Sequence, residues 1–246
     1  MNKKTFTLIP IALGMLLLFT GCVVNVGGGR TLRGTGSLVT RDIDVADFNA
    51  IDVGGNFRVV YRQASTPALT VVMQENLFNH LETSVRNGNL QITTGRNFET
   101  TSANRPTLYV YAPYLTGVDF SGAVTASNWD MIQGQSFAIS TSGAATLDIS
   151  LEVQQVDIGV SGAASLTLDL DVERLDMEIA GAANVRLSGS ANTIDVDGSG
   201  AFNLRAGDLQ IEGGRVNVSG AANVYLSTLE NISVITSGLA RVRQAQ

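Results

Sequence analysis

The sequence predicts an all-β chain folded as a parallel β-helix, a single-stranded β-solenoid with coils of about nineteen residues and an irregular β region ahead of them. Three observations predict it. The triplet Ser-Gly-Ala returns as "SGAATL" at 142–147, "SGAASL" at 161–166 and "SGAANV" at 219–224. The glycines at its centre, Gly122, Gly143, Gly162, Gly181, Gly200, Gly220 and Gly238, are spaced by 21, 19, 19, 19, 20 and 18 residues. Within each copy the apolar residues alternate with polar ones, the period of a strand with one buried face.

Each copy holds two such runs. Leu147 and Ile149, Leu166 and Leu168, Val185 and Leu187, and Val224 and Leu226 follow the motif, and Val156, Ile158 and Val160 or Leu175, Met177 and Ile179 close a copy. Segments such as 188–192 ("SGSAN") and 206–208 ("AGD") read as the turns between runs. Two short strands cannot bury a core alone, so copies must stack, with ~4.8 Å between strands of successive coils. Glycine at a coil corner can adopt the left-handed backbone at no steric cost, and the alanines that follow are small enough to sit inside a tight bend. Extra residues, as in the longer first copy, are expected at turns. Anything functional is then expected on the variable residues between the motifs.

Upstream, "FNAIDVGGNFRV" (48–59) aligns with "LTGVDFSGAVTA" (115–126), which predicts an older copy of the coil. Strand-like runs at 68–73, 90–93 and 107–112 and a helical turn near 76–81 lie between them. The chain thus divides into a leader at 1–21, a flexible glycine-rich tether at 22–40, an N-terminal β region at 41–120 that begins or caps the solenoid, and regular coils at 121–246. The polar ending "ARVRQAQ" would help to blunt an exposed strand edge.

The leader has Lys3 and Lys4, an apolar run from Phe6 to Phe19 and then Thr20-Gly21-Cys22, the parts of a secretory signal ending on a single cysteine. The apolar run is shorter than the ~20 residues of a membrane-spanning helix. These residues resemble a bacterial lipoprotein lipobox, with Phe19 where the pattern usually has leucine. The resemblance implies that Cys22 is acylated and becomes the first residue of the mature chain. Val23, a non-acidic residue after it, implies the outer membrane, and several acyl chains would hold the protein stably at that bilayer. Cys22 is the only cysteine, so no disulfide forms within the chain. Cleavage before Cys22 removes two lysines and no acid, taking the formal charge from −6 to −8. That acidity argues against nucleic acid as a partner.

The family resemblance spans roughly 40–240. "DFNAIDVGGNFRVVYRQ" (47–63), "VRNGNLQI" (85–92), "PTLYVYAPYLTGVDFSGA" (106–123) and the Ser-Gly-Ala copies are similar to the GIN-domain family, putative auto-transporter adhesin head domains. The resemblance implies a right-handed β-helical surface or periplasmic protein and carries no established biochemical activity.

Little in the sequence points to catalysis or to a cofactor. His80, in "NLFNHLET", is the single histidine and has no cysteine or second histidine near it to complete a metal site or activate a nucleophile. The glycine motifs are followed by no Lys-Ser/Thr, so they are not a phosphate loop, and they do not fit the calcium-binding nonapeptides of other solenoids. One pattern is less bland. Asp157, Asp176 and Asp195 stand four places before the next motif, and Glu178 and Asp197 two places before it. In-register stacking would bring these five carboxylates to one face, where neighbouring like charges repel unless offset. They are the candidate ligands for a divalent cation or a cationic partner, against the plainer reading of a solvated face. Arg186, Arg205 and Arg243, six places after the motif starts, form a looser basic column. A carbohydrate-cleaving β-helix would need paired carboxylates flanking a groove and aromatic platforms, for which the repeats offer chiefly Trp129, Phe137, Phe202 and Tyr225. The reading that results is a lipid-anchored, non-enzymatic envelope protein that contacts another envelope or extracellular macromolecule, with a carbohydrate-binding or carbohydrate-cleaving β-helix as the alternative.

Overall fold

The computed structural model describes residues 31–245. The leader, Cys22 and the first part of the expected tether lie outside them. The solenoid has about seven turns. Four consecutive strands, Ala144–Val160, Ala163–Ile179, Ala182–Gly198 and Ala201–Val218, each complete most of a coil. Each pairs in parallel and in register with the next, so Leu147, Leu166, Val185 and Leu204 share one column and Ile158, Met177, Val196 and Val216 another. All eight are buried. The alternation therefore does what the sequence suggested: the backbone is paired coil to coil, and the inward columns are apolar apart from Thr141, which is buried in the column of Val160.

Three walls enclose the core. The first holds residues 156–160 and the residues stacked on them, and the Ser-Gly corner separates it from a second wall at 144–148. A third wall, at 150–153, follows, and the inward-outward phase then breaks at Gln154-Gln155, both turned outward or half-exposed. Between the second and third walls the ladder carries a bulge at Arg186/Ser188, opposite the extra residue of the coil containing Ala206-Gly207. The segments expected as turns, 188–192 and 206–208, are strand instead, with residues 188–191 paired to the neighbouring coils and Gly207 left out at the bulge. The two additional residues of the first copy lie in the connection between Ala123–Ser127 and Ile132–Thr141, as expected of an insertion.

The corner glycines have a different cause from the one expected. Of the seven, only Gly220 (φ +80°) and Gly238 (φ +72°) are left-handed. At Gly122, Gly143, Gly162, Gly181 and Gly200 a Cβ would instead collide with the carbonyl oxygen of the corresponding glycine one coil earlier, Gly55 in the case of Gly122. That carbonyl is also a hydrogen-bond acceptor: Ala163 N–H donates to Gly143 O and Ala182 N–H to Gly162 O, both at 2.9 Å. The coils approach so closely at this corner that a side chain has no room. Of the two alanines that follow, the first points to solvent and only the second packs inside. Phe202 replaces that second alanine in one coil, and Gly198 opposite it makes room for the ring.

The aligned upstream copy is part of the same stack. Ala50–Val53 pairs in parallel with Gly117–Phe120, and Asn56 to Val59 with Ala123 to Ala126, in the register the two sequences share. Asn89–Thr94 and Thr107–Ala112 add one more parallel layer. Beyond it the chain reverses: Ala68–Gln74 lies antiparallel to Thr107–Ala112, Leu38–Ile43 antiparallel to Ala68–Gln74, and Leu81–Arg86 antiparallel to Asn89–Thr94. A 3₁₀ segment, Glu75–His80, joins two of these strands and buries Leu77 and Phe78. Residues 32–33 and 38–40, expected in the tether, are thus part of the structure: Leu32–Arg33 pairs with Phe98–Glu99, and the strand from Leu38 is the outermost of the cap. The opposite end has no such cover among the described residues. Ile232–Thr236 and Arg241–Gln244 form the last layer, and Val234, Ile235 and Leu239 are exposed there, Leu239 by 79%. The polar ending forms the outer strand of this layer, with Arg241, Arg243 and Gln244 exposed beside these apolar residues.

Candidate functional site

The first wall carries the predicted carboxylates. Its two outward columns run Asp157, Asp176, Asp195, Arg215 and Gly159, Glu178, Asp197, Asn217, each residue one coil from the last. The five acids do share one face, lining a shallow open depression. What the sequence reading missed is how the array ends. Arg215 occupies the next position of the aspartate column, and its guanidinium lies 3.1 Å from Asp195 Oδ1 and 3.2 Å from Asp197 Oδ2. Asn217 Nδ2 donates to Asp197 Oδ1 at 2.8 Å. Two of the five carboxylates are thereby paired, and Gln155 donates to both oxygens of Asp157.

Asp176 is left in the middle. Burial pushes its carboxyl above the usual aspartate value, Asp157 and Asp195 push the same way, and Arg174 opposes them. A second raised carboxyl lies on this wall nearer the cap: Asp119 is shifted up by burial and then by Asp52, its ladder neighbour. Strands in register hold such side chains parallel, one strand spacing of ~4.8 Å apart, whereas an ion needs oxygens converging on one point. Among the described residues no three carboxylate, histidine or cysteine side chains converge in that way.

The second wall has its own outward columns. Thr146, Ser165, Asn184, Asn203 and Asn223 occupy one of them. Its asparagines form a ladder that the sequence reading did not identify: Asn223 Nδ2 donates to Asn203 Oδ1 and Asn203 Nδ2 to Asn184 Oδ1, each at 3.2 Å. The signal was there, since all three stand at the same offset from the motif. The next outward column contains the predicted arginines, in the order Arg186, Arg205, Tyr225, Arg243. Arg186 and Arg205 are direct neighbours, while Tyr225 separates them from Arg243. Arg241, overlooked in the sequence, extends the asparagine column.

The remaining candidates are structural. Phe137 and Phe202 are fully buried. Trp129 donates from Nε1 to Val59 O at 2.8 Å and packs its ring 5.8 Å from Tyr61, closing the longer connection of the first coil. Of the four repeat-region aromatics only Tyr225 offers a ring to the outward columns. His80 ends the 3₁₀ segment, half-buried, and its backbone carbonyl accepts from Gly95 N–H at 3.0 Å.

Residues 47–245 match the model of the family described as "Putative auto-transporter adhesin, head GIN domain". No curated protein matches the chain. Among solved structures, a putative adhesin from Parabacteroides merdae is similar with a TM-score of 0.69 at 18% identity, over 88% of this chain and 99% of that one. A putative adhesin from Parabacteroides distasonis gives 0.66 at 19%, over 87% and 95% of the two chains. A protein from the same species described as a putative lipid binding protein gives 0.67 at 17%, over 88% and 100%. At these identities the likeness is one of fold.

Proposed function

Starting from the fact that this chain belongs to the GIN-domain family of putative auto-transporter adhesin heads, we propose that it is a non-enzymatic interaction module of the bacterial cell envelope, anchored in the outer membrane through an acylated Cys22. The observation that carries the reading is the division of labour in the solenoid. Apolar side chains fill the interior, and the charged and amide-bearing side chains stand in columns on open outer walls. Such extended surfaces suit contact with a macromolecule. The anchor is supported by the lysines, apolar run and Thr-Gly-Cys of residues 3–22. No helix of the described residues is long and apolar enough to cross a membrane. A carbohydrate-cleaving role is less well supported, because three of the four repeat-region aromatics serve packing and the carboxylates stand on an open wall.

Two measurements test this. Expressed in a bacterial host, the wild-type chain is expected to incorporate labelled fatty acid and to fractionate with the outer membrane, and the Cys22→Ser variant to lose the label. Protease added to intact cells is expected to degrade the solenoid. Protection in intact cells together with cleavage after lysis would remove the adhesin role.

A further inference from the structure

The second wall near the open end concentrates side-chain hydrogen-bond donors, several of them without a partner among the described residues. Arg186, Arg205, Arg241 and Arg243 are all exposed there. Among the described residues none has a carboxylate within salt-bridge distance, whereas Arg215 on the first wall holds two. Arg186 and Arg205 stand side by side in the ladder, an arrangement that costs stability through like-charge repulsion. The nearest acid of their own column, Asp148, is two coils from Arg186. The adjoining asparagine column adds to the set. Each ladder bond uses one amide N–H, so Asn203 and Asn223 each keep one free and Asn184 keeps both. Apart from Lys3 and Lys4, every basic residue of the chain is arginine, whose planar fork fits carboxylates in a bidentate manner.

The shape limits the ligand as well. A shallow groove floored by the alanines after each corner runs along the coils, bordered by Thr125, Thr146, Ser165, Asn184 and Asn203, with Arg105 at its cap end and the column of Arg186 and Arg205 just beyond its polar border. It is open along its length, so it fits a chain, and its polar border offers hydroxyls and amides at every coil. A chain that presents acceptors at regular intervals and negative charge at the arginine end fits both features. Such a chain would meet net repulsion from a protein of formal charge −6 unless it engaged this wall in particular.

We propose that the second wall is a binding surface for a linear acidic polysaccharide bearing carboxylates, gripped by Arg186, Arg205, Arg241 and Arg243, with the asparagine ladder and Tyr225 contacting its sugar rings. This rests on the interaction-module reading and names the partner's chemistry.

The test is calorimetric titration of the purified full chain in detergent with polygalacturonate, its methyl ester and poly-glutamate at low ionic strength. Polygalacturonate is expected to bind. The methyl ester, which keeps the sugar backbone without its charge, and the Arg186→Gln/Arg205→Gln variant are each expected to bind at least tenfold more weakly. Arg33→Gln/Arg96→Gln, which removes two exposed arginines of the N-terminal region, is expected to bind as wild type does. Retained melting temperature shows that the variants are folded. The proposal is overturned if polygalacturonate gives no binding, if the Arg33/Arg96 variant loses as much as the Arg186/Arg205 variant, or if poly-glutamate binds as tightly as the sugar polymer. Acylation and surface exposure are measured separately in cells, so a negative titration leaves that result standing.

Discussion

At the corner, a glycine does its work by lacking a side chain where two coils touch. Gly181→Ala would drive a methyl group into the Gly162 carbonyl, and the two coils would have to separate. A loss of about 1–3 kcal/mol is expected in chemical denaturation, the range typical of overpacking. Gly159→Ala is the contrasting case. It faces the first wall with open space around the position of a Cβ, and its effect is expected to stay within about 0.5 kcal/mol. Asp176 makes a pH-dependent prediction. Its carboxyl is raised in the folded protein, so ionisation is less favourable there than in the unfolded chain. The stability it contributes is therefore present below the unfolded value and is lost as pH rises through the folded one. Asp176→Asn is expected to be more stable than wild type at neutral pH, by less than about 1 kcal/mol given its partial exposure. The gain should vanish in melts run below the ordinary aspartate pKa of 3.8. Residue by residue, the candidate site was legible where chemistry and position recur together, as for Asp157, Asp176 and Asp195. It was not legible where chemistry changes sign at a position that recurs from coil to coil: Arg215 stands in the aspartate column and ends it.

Among the elements, register does most of the specifying. A one-residue slip would turn every inward side chain of a coil outward, so the paired stretches cannot tolerate a change in length that the bulge can. Deleting Gly207 would restore a nineteen-residue spacing in its coil, and that variant is expected to fold and melt cooperatively. Deleting Ser165, inside the paired stretch 163–172, is expected to abolish folding or lower the melting temperature steeply, as read by circular dichroism. The regular coils were legible because a period of two and a spacing of about nineteen reinforce each other. The cap was not. Its antiparallel strands are inserted between two halves that align 67 residues apart, and local alternation does not tell a strand that continues a stack from one that closes it. The strand at Leu38–Ile43 was hidden for a related reason: nearby glycines resemble a linker, while its partner, Ala68–Gln74, lies some thirty residues away.

Across the whole molecule, stability should grade along the axis. Central coils are paired on both sides and packed around a continuous apolar interior, whereas the last layer has one neighbour and exposed Val234, Ile235 and Leu239. Hydrogen exchange is expected to be fastest at 232–244 and slowest in 163–198, with the cap at 68–92 between them. Equal protection at 232–244 and 163–198 would contradict this order. The asymmetry also sets a rule for self-association. Indefinite head-to-tail growth, the route from an open solenoid to a fibre, requires two bare edges, and here one of them is already occupied by the chain's own reversed strands. An end-on contact through the coil left uncovered among the described residues would pair like ends of two copies, because the outermost strand of the cap, Leu38–Ile43, runs antiparallel to its neighbour and does not present the parallel coil edge that such a contact uses. It would have to be two-fold symmetric, and it would terminate at two copies.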